Sequence, residues 1–451
     1  MTSVCKFRIL FGLLLLLLCR YLTSNNRVEI MQGVIPTTEG DIHVVYNIGC
    51  GGNSVQWHSM LIQAVTLDYS WSVVHQRGKL TRIVSGCEND SFLKSKLSST
   101  TLPPELMDRF DVYFTEANDT VGKIKYPMFN RPNALIKYFA EKGVDGVIYI
   151  VLGTFSNYVT SIFMGYLDPD FAFVTAIPET TIDKVGPHKP AGGVFYMGTG
   201  WRKWDSVCAS LGSFESQCLQ NLKSISSKES RASYEIGAPY LMYKSDWEVL
   251  LPLWIRAIPP AMKYYNGKET DMYAYSIVSA TLGMPHFGDV NLMRTCMRDL
   301  KLENSFQGIG TFVHYCQRYM IYEPRGEKFQ HNPVDEFSHE IREHSYFNFA
   351  YIFSKYWYLV TPLQNQALVD CGAPLLVEPP RFTKPEWDSF EGSIQFQYKV
   401  MRFLVPLIND ALSSYKTIHC GGKEFNAERK LILHEYHNSN PLKKSYSSVI
   451  G

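Results

Sequence analysis

Residues 126–155 read YPMFNRPNALIKYFAEKGVDGVIYIVLGTF. This stretch predicts a loop, a helix and a buried strand in immediate succession. Pro132 suits a first helical turn, and Gly143 suits the position just past a helix end. Ala134, Leu135, Tyr138 and Phe139 recur at helical spacing. Val147 to Leu152 is an unbroken apolar run rich in β-branched residues, as expected of a strand covered on both faces. Ligands of α/β proteins bind beyond the carboxyl ends of such strands. At that point this stretch offers Val151, Leu152 and Gly153, and no side chain there can hold a hard cation.

Outward from this unit the same alternation continues. Ile42 to Ile48 predicts a first strand, Gly49, Gly51 and Gly52 a flexible turn, and Asn53 or Ser54 to about Leu67 a helix. Thr81 to Ser85 predicts a second strand. Strand–helix–strand repetition defines an α/β, Rossmann-like half. The glycines after the first strand do not make a GxGxxG fingerprint, so no dinucleotide site is read from them. Further strands are expected at Phe171 to Ala176 and Phe312 to Tyr315. Helices are expected at Asp246 to Trp254, ending near Ala257, at Glu269 to Leu282, and at Trp387 to Tyr415, the last capped by Asp388 or Ser389. Residues 205–233, rich in Ser, Lys and Gln, read as an insertion, within which Cys208 and Cys218 could close a loop. Asp168-Pro169-Asp170 lies sixteen residues beyond Leu152 and reads as an Asp/Pro turn.

The chain of 451 residues is long enough for one large or two ordinary domains. Its formal net charge of +1 and the lack of a basic, aromatic-interleaved stripe exclude an electrostatic nucleic-acid binder. Aromatic residues make up 14% of the chain, which fits sugar-stacking surfaces and fits a large aromatic core at least as well. Lys6 and Arg8 precede an apolar run of eleven residues, Ile9 to Cys19, and Arg20 follows. A spanning helix needs roughly 20 apolar residues. The run suits a signal-peptide core, yet no small-x-small cleavage site follows, so residues 1–22 are a signal anchor or a cleaved signal peptide. Residues 23–40 form a polar stem, and the remainder is expected in a lumenal or extracellular compartment. Eight cysteines outside the targeting segment permit four disulfides of unassigned connectivity. Asn89-Asp90-Ser91 and Asn118-Asp119-Thr120 are N-glycosylation sequons.

Ordered blocks then carry a resemblance. They begin with Ile42-His43-Val44-Val45, Gln56-Trp57 and Gly78 to Ser85, followed by Phe129-Asn130-Arg131-Pro132-Asn133-Ala134-Leu135. Ile236-Gly237-Ala238-Pro239, Asp246, Pro252-Leu253-Trp254 and Ala261-Met262-Lys263 come next. Asp271-Met272-Tyr273-Ala274-Tyr275, His314-Tyr315, Asp370-Cys371 and Glu378-Pro379-Pro380 close the series. In this order the chain resembles the plant and algal peptidyl O-glycosyltransferases, the hydroxyproline O-arabinosyltransferases and the peptidyl serine α-galactosyltransferases. The resemblance implies a GT-A fold with a mixed central sheet over residues 41–415, followed by a tail, 416–451. It implies a UDP-sugar donor and transfer, with retained anomeric configuration, to a hydroxyproline or serine hydroxyl of a peptide or protein acceptor. The expected place is the Golgi or ER membrane, reached through the N-terminal segment, or alternatively a secreted state.

By the same resemblance, Asp271 stands at the family's helix-start acid and is the catalytic candidate, to orient acceptor or donor sugar. Arg82, Arg131, His314, Gln56 and Trp57 are donor-site candidates, the two arginines because guanidinium forks suit phosphate. Lys355 could assist them. Each has a plainer reading: a first-turn acid for Asp271, surface ion pairs for the arginines, a core residue for His314, helix packing for Gln56 and Trp57. The family's acid-x-Asp metal motif falls on Val151 and Gly153 in this alignment. No metal ligands are therefore assigned, and manganese dependence is in question. The alternatives are metal-free transfer, an inactive pseudo-glycosyltransferase, or a secreted glycan- or peptide-binding protein.

Overall fold

The structure is a computed structural model. It describes residues 42–50, 56–142, 163–167, 170–195, 197–267, 269–295, 310–315, 318–322, 349–354, 360–361, 366–376, 378–379, 392–421 and 430–431. They fall in one unit that begins at Glu39. The targeting segment, the stem, Val147 to Leu152, Lys355 and the end of the chain lie outside the described residues.

The first half lays down parallel strands. These are β1 (Ile42–Gly49), helix α1 (Gln56–Val73), β2 (Leu80–Ser85), α2 (Ser91–Leu97), β3 (Phe110–Thr115) and α3 (Asn130–Lys142). Val44 to Gly49 pair in parallel with Leu80 to Ser85, and β2 pairs in parallel with β3. β1 and β2 are buried on both faces, as their apolar runs require. Gly78 enters β2 at φ +89°, where an added Cβ would strike the carbonyl of Ile42.

The second half reverses direction once. β4 (Phe163–Leu167) and the short β5 (Phe171–Phe173) are followed by β6 (Ala191–Val194) and helix α4 (Glu215–Ser224). β7 (Ile236–Tyr243), α5 (Lys244–Ala261), α6 (Thr270–Thr281), β8 (Phe287–Asp289), β9 (Met293–Thr295) and β10 (Phe312–His314) complete the order before helix α7 (Gly392–His419). The central sheet runs β3-β2-β1-β4-β7-β6-β8. β7 is antiparallel to both its neighbours and the other described strands of the sheet are parallel. This is a mixed, Rossmann-like α/β sheet, as expected. A second sheet, β9-β10-β5, sets Phe312, Val313 and His314 against Phe173, Ala172 and Phe171.

On the side away from β2, β1 pairs in parallel with Phe163–Leu167, a strand not expected from the sequence, with Ile42 to Tyr46 facing Phe163 to Leu167. The expected strand end at Val151 and Gly153 lies outside the described residues. Residues 205–233, expected as an insertion, are largely helical. They form short helices around α4, tied by the Cys208–Cys218 disulfide and by the Asn221 amide, which donates to the carbonyls of Ala280 and Thr281 at 2.9 and 3.2 Å. Cys50–Cys87 joins the loops after β1 and β2, and Cys371–Cys420 ties residues 366–376 to the end of α7.

Polar groups fasten the layers. Arg82 is fully buried on β2 and ion-pairs with Asp68 of α1. Its Nε donates to the Tyr46 hydroxyl at 2.7 Å, and Nη1 donates to the carbonyls of Leu97 and Ser99 at 2.6 and 2.9 Å. Every nitrogen of the guanidinium is thus engaged inside the protein. A buried charge stripped of its partner is expensive, whereas a well-shaped apolar pair is tolerated. Arg82→Met should lower unfolding free energy by about 3–5 kcal/mol, and adding Asp68→Leu should recover much of that loss. Urea titrations of the three proteins check this.

His43 on β1 bonds Thr81 at 2.8 Å, and Thr81 meets the Tyr138 hydroxyl of α3 at 3.3 Å. Burial, with the charge of Lys79 adding, holds the His43 imidazole down at about 4 against its ordinary 6.5. The folded state keeps it neutral while the unfolded chain protonates below 6.5, so its contribution is full above that pH and is lost as pH falls toward 4. At pH 5 the loss should be about 2 kcal/mol. In His43→Gln, the gap between urea stabilities at pH 7 and pH 5 should shrink by that amount.

Candidate functional site

The carboxyl ends of β1, β2, β3, β4, β6 and β8 lie on one edge of the sheet, together with the amino end of β7. Two clusters form at or beside that edge.

The first cluster ties the loop before α3 to the start of α6. The Tyr126 hydroxyl donates to Asp271 Oδ1 at 3.0 Å and accepts from the Asp271 backbone N–H at 2.9 Å. Arg131 Nη1 donates to Asp271 Oδ2 at 3.0 Å. The Trp254 indole of α5 donates to the Asp271 carbonyl at 2.7 Å. Asp271 is a first-turn residue, where the positive end of the helix dipole favours an acid. Its side chain is 0% exposed, whereas that of Arg131 is 23% exposed. The ion pair therefore runs from a covered carboxylate to an arginine whose side chain is partly exposed. Burial, reinforced by the Asp271 charge, raises the Tyr126 pKa, so the phenol remains a donor at neutral pH. Next to Asp271, Met272 lies over Gly237 of β7. A Cβ on Gly237 would come within 2.9 Å of Met272 Cε, so the two residues pack closely.

Helix α3, which carries Arg131, is clamped at its start. Asn118 donates its backbone N–H to Asn130 Oδ1 at 3.0 Å and its Nδ2 to Asn133 Oδ1 at 3.0 Å. Asn133 Nδ2 in turn donates to the Phe129 carbonyl at 2.6 Å. Ala134, Leu135 and Tyr138 bury the helix's inner face. At roughly 1.5–3 kcal/mol for each large apolar side chain, that face fixes the helix and the clamp sets its end.

The second cluster follows β4. Asp170 is buried, and its Oδ1 lies 3.4 Å from His314 Nε2. The Asp170 carbonyl accepts from the Tyr315 N–H at 3.0 Å. His314 is 14% exposed and stacks on Phe171, with centroids 4.5 Å apart and planes 7° apart. Carboxylate oxygen and imidazole nitrogen suit a Mn-, Fe- or Zn-like cation. Two ligands at about 2.1 Å from one ion, at right angles, stand about 3 Å apart, so the Asp170–His314 spacing fits. No group of three or more such ligands occurs among the described residues, and Asp168 lies outside them.

The structure thus brings Arg131 and Asp271 together and places His314 beside Asp170. Arg82 does not join them. It was expected at the donor site and is instead consumed in the core between β2 and α1. Trp57 packs at the start of α1 against His58 and edge-on to Phe92, with centroids 3.6 and 5.9 Å apart, and is 9% exposed. Helix packing is its evident role. Gln56 begins α1, and its side chain lies outside the described residues. Asp271 is withdrawn beneath Arg131 rather than presented to a cleft.

Three participants escaped sequence reasoning. Tyr126 preceded the helix signal and looked like loop. Asp170 was assigned to an Asp/Pro turn because it lies far beyond Leu152 and just before the next strand. Glu235 sits just before β7, 1% exposed. Its Oε2 accepts from the Gly198 N–H at 3.3 Å, while Oε1 has no hydrogen-bond partner among the described residues. Burial raises the Glu235 pKa against the opposing pull of Gly198 and Arg231.

No protein-family model matches the chain, and no curated protein matches it. Among solved structures it is similar to the apo structure of the bifunctional glycosyltransferase WbbM, at 8% identity and a TM-score of 0.34, over 63% of this chain and 47% of that one. The chain spans about half the length of that neighbour. It is also similar to the apo form of mouse xyloside xylosyltransferase 1, at 12% identity and a TM-score of 0.31, over 61% of this chain and 97% of that one. Likenesses this distant carry no argument, and the fold rests on the strand order above.

Replacing Tyr126 with Phe removes the acceptor for the Asp271 N–H and one donor to its carboxylate, both buried. Tyr126→Phe should cost about 1–3 kcal/mol of stability, read from denaturant midpoints, with the fold retained by circular dichroism.

Proposed function

We propose that the chain is a glycosyltransferase-like protein of the secretory pathway. It takes a nucleotide-sugar donor at the carboxyl edge of the central sheet. By the sequence resemblance, it passes the sugar to a hydroxyproline or serine hydroxyl of a peptide, with retention. The observation that carries this reading is Asp170, directly beyond β4 and 3.4 Å from His314, on a sheet whose edge also bears Arg131. The lumenal location rests on the sequence of residues 1–22 and on the disulfides, which belong to oxidising compartments. Among the described residues no helix is long and apolar enough to cross a membrane.

Transfer leaves a nucleoside diphosphate, so negative charge must be met where it develops. Asp170 and His314 would hold a divalent cation such as manganese, with Asp168 placed by sequence two residues before Asp170. When bound, that cation neutralises diphosphate oxygens and acts as a Lewis acid. Arg131 presents N–H donors to the same diphosphate. Asp271 fixes the Arg131 guanidinium by charge and direction, and Tyr126 and Trp254 fix Asp271. Asp271 is therefore a positioning residue in this reading. A second reading, a pseudo-transferase that binds donor without turnover, draws on the complete covering of the Asp271 carboxylate.

Calorimetric titration of UDP, with and without manganese, tests the site. Manganese should tighten UDP binding at least tenfold in the native chain, and Asp170→Asn and His314→Ala should abolish that gain. Arg131→Ala should weaken UDP by about tenfold or more with metal present, as expected for loss of a charge-assisted bond of about 1.5–3 kcal/mol. Absence of UDP binding, or indifference of all three variants, sinks the proposal. Binding without transfer to hydroxyproline or serine peptides from a panel of UDP-sugars selects the pseudo-transferase.

A further inference from the structure

The two N-glycosylation sequons stand in opposite structural states. Asn89 is exposed in the loop between β2 and α2, and so are its neighbours Asp90 and Ser91. Its Nδ2 makes one long contact, 3.4 Å, to the exposed-side carboxylate of Glu88 next to it. The turn is set without Asn89: Asp90 caps α2 by accepting from the Leu93 N–H at 2.9 Å, and Cys87 is tied to Cys50. Asn118 is half-buried. Its Nδ2, the atom a glycan would use, donates to Asn133 at 3.0 Å, and its backbone N–H donates to Asn130. Those residues form the first turn of the helix that carries Arg131.

We propose that Asn89 carries an N-linked glycan in the mature protein and that Asn118 remains bare, retained as the clamp on the start of α3. The Asn89 Nδ2 forms a C–N bond to the anomeric carbon of an oligosaccharide. The anomeric C–O bond to its lipid diphosphate carrier breaks, the lipid diphosphate leaves with the bonding pair, and one amide proton is lost to base. The host's oligosaccharide-transfer enzyme supplies the carrier-linked sugar. Such attachment acts on chains that are still unfolded. A chain modified at Asn118 would then have to fold with a sugar wedged between Asn118 and Asn133, and the Asn130–Asn133 clamp would not close. A chain modified at Asn89 folds with the sugar in solvent.

This inference rests on the lumenal reading, and the experiment separates the two. The full chain is expressed in a eukaryotic secretory host with its own N-terminal segment and, in parallel, behind an established signal peptide. Deglycosylation by peptide N-glycosidase in heavy-oxygen water converts each formerly glycosylated asparagine to labelled aspartate, located by peptide mass spectrometry. Behind the established signal, the label should fall on residue 89 and not on residue 118. Asn89→Gln should remove the enzyme-sensitive gel shift, and Asn118→Gln should leave it in place. Label at residue 118 in folded, secreted protein overturns the proposal, as does an unlabelled residue 89. Label at residue 89 only with the established signal supports the site and refutes the lumenal reading of the native segment.

Discussion

One buried carboxylate ties the two halves of the fold together at the cleft edge. Asp271 receives Tyr126 and Arg131 from the segment that follows β3, across sequence separations of 145 and 140 residues. Trp254 holds its carbonyl from α5. The parallel half, β1 to β3, and the reversed half, β7 to α6, are joined through the ladders that β4 makes with β1 and β7. The Asp271 bonds add a second, long-range tie at the cleft edge. An acid buried without partners is prohibitively costly, so the Asp271 knot forms as a whole or not at all. It therefore acts as a register between the halves as well as a seat for Arg131.

Reversal of β7 makes this possible. A wholly parallel sheet would send the chain leaving β7 to the same edge as the ends of β1 to β4. Running β7 backward puts its amino end, Ile236 to Gly237, at that edge and delivers α5 to the far side. α6 then returns with its amino terminus beside Gly237. The helix end contributes its acid, Asp271, at the edge beyond which β4 is followed by Asp170. Asp170 reaches His314 because β5 continues from β4 and pairs antiparallel with β10. Both clusters follow from backbone direction before any side-chain chemistry is considered.

The sequence made much of the first half legible and left β4 unannounced. β1, β2 and α3 carry strong local signals: β-branched runs for the strands and an apolar face at helical spacing for the helix. β4 carries none of these. Phe163-Met164-Gly165-Tyr166-Leu167 contains a glycine and no β-branched residue, and it is a strand because β1 and β7 supply ladders on both sides. Strand preference of this sort depends on neighbours more than on composition. The run from Val147 to Leu152 has the stronger local pattern, and the metal position expected from it, Val151 and Gly153, lies outside the described residues. β7 was obscured by Pro239 and by polar residues at both ends. Tyr126 was invisible as a site residue because nothing local announces a hydroxyl whose partner lies 145 positions away.

Arg82 and Arg131 show where residue type ceases to inform. Both match blocks of the resemblance, and both carry the same donor fork. Arg82 lies on a strand buried on both faces, one helix away from Asp68, with the carbonyls of Leu97 and Ser99 at hand. Its charge is spent before any ligand arrives. Arg131 lies in the first turn of a helix whose amino end projects from the sheet edge, anchored through Nη1 while part of the side chain meets solvent. An arginine that is to receive a diphosphate needs an anchor that fixes its direction and a face left toward solvent. The two fates are set by where each backbone position falls between layers, which a single sequence encodes only through contacts made far along the chain.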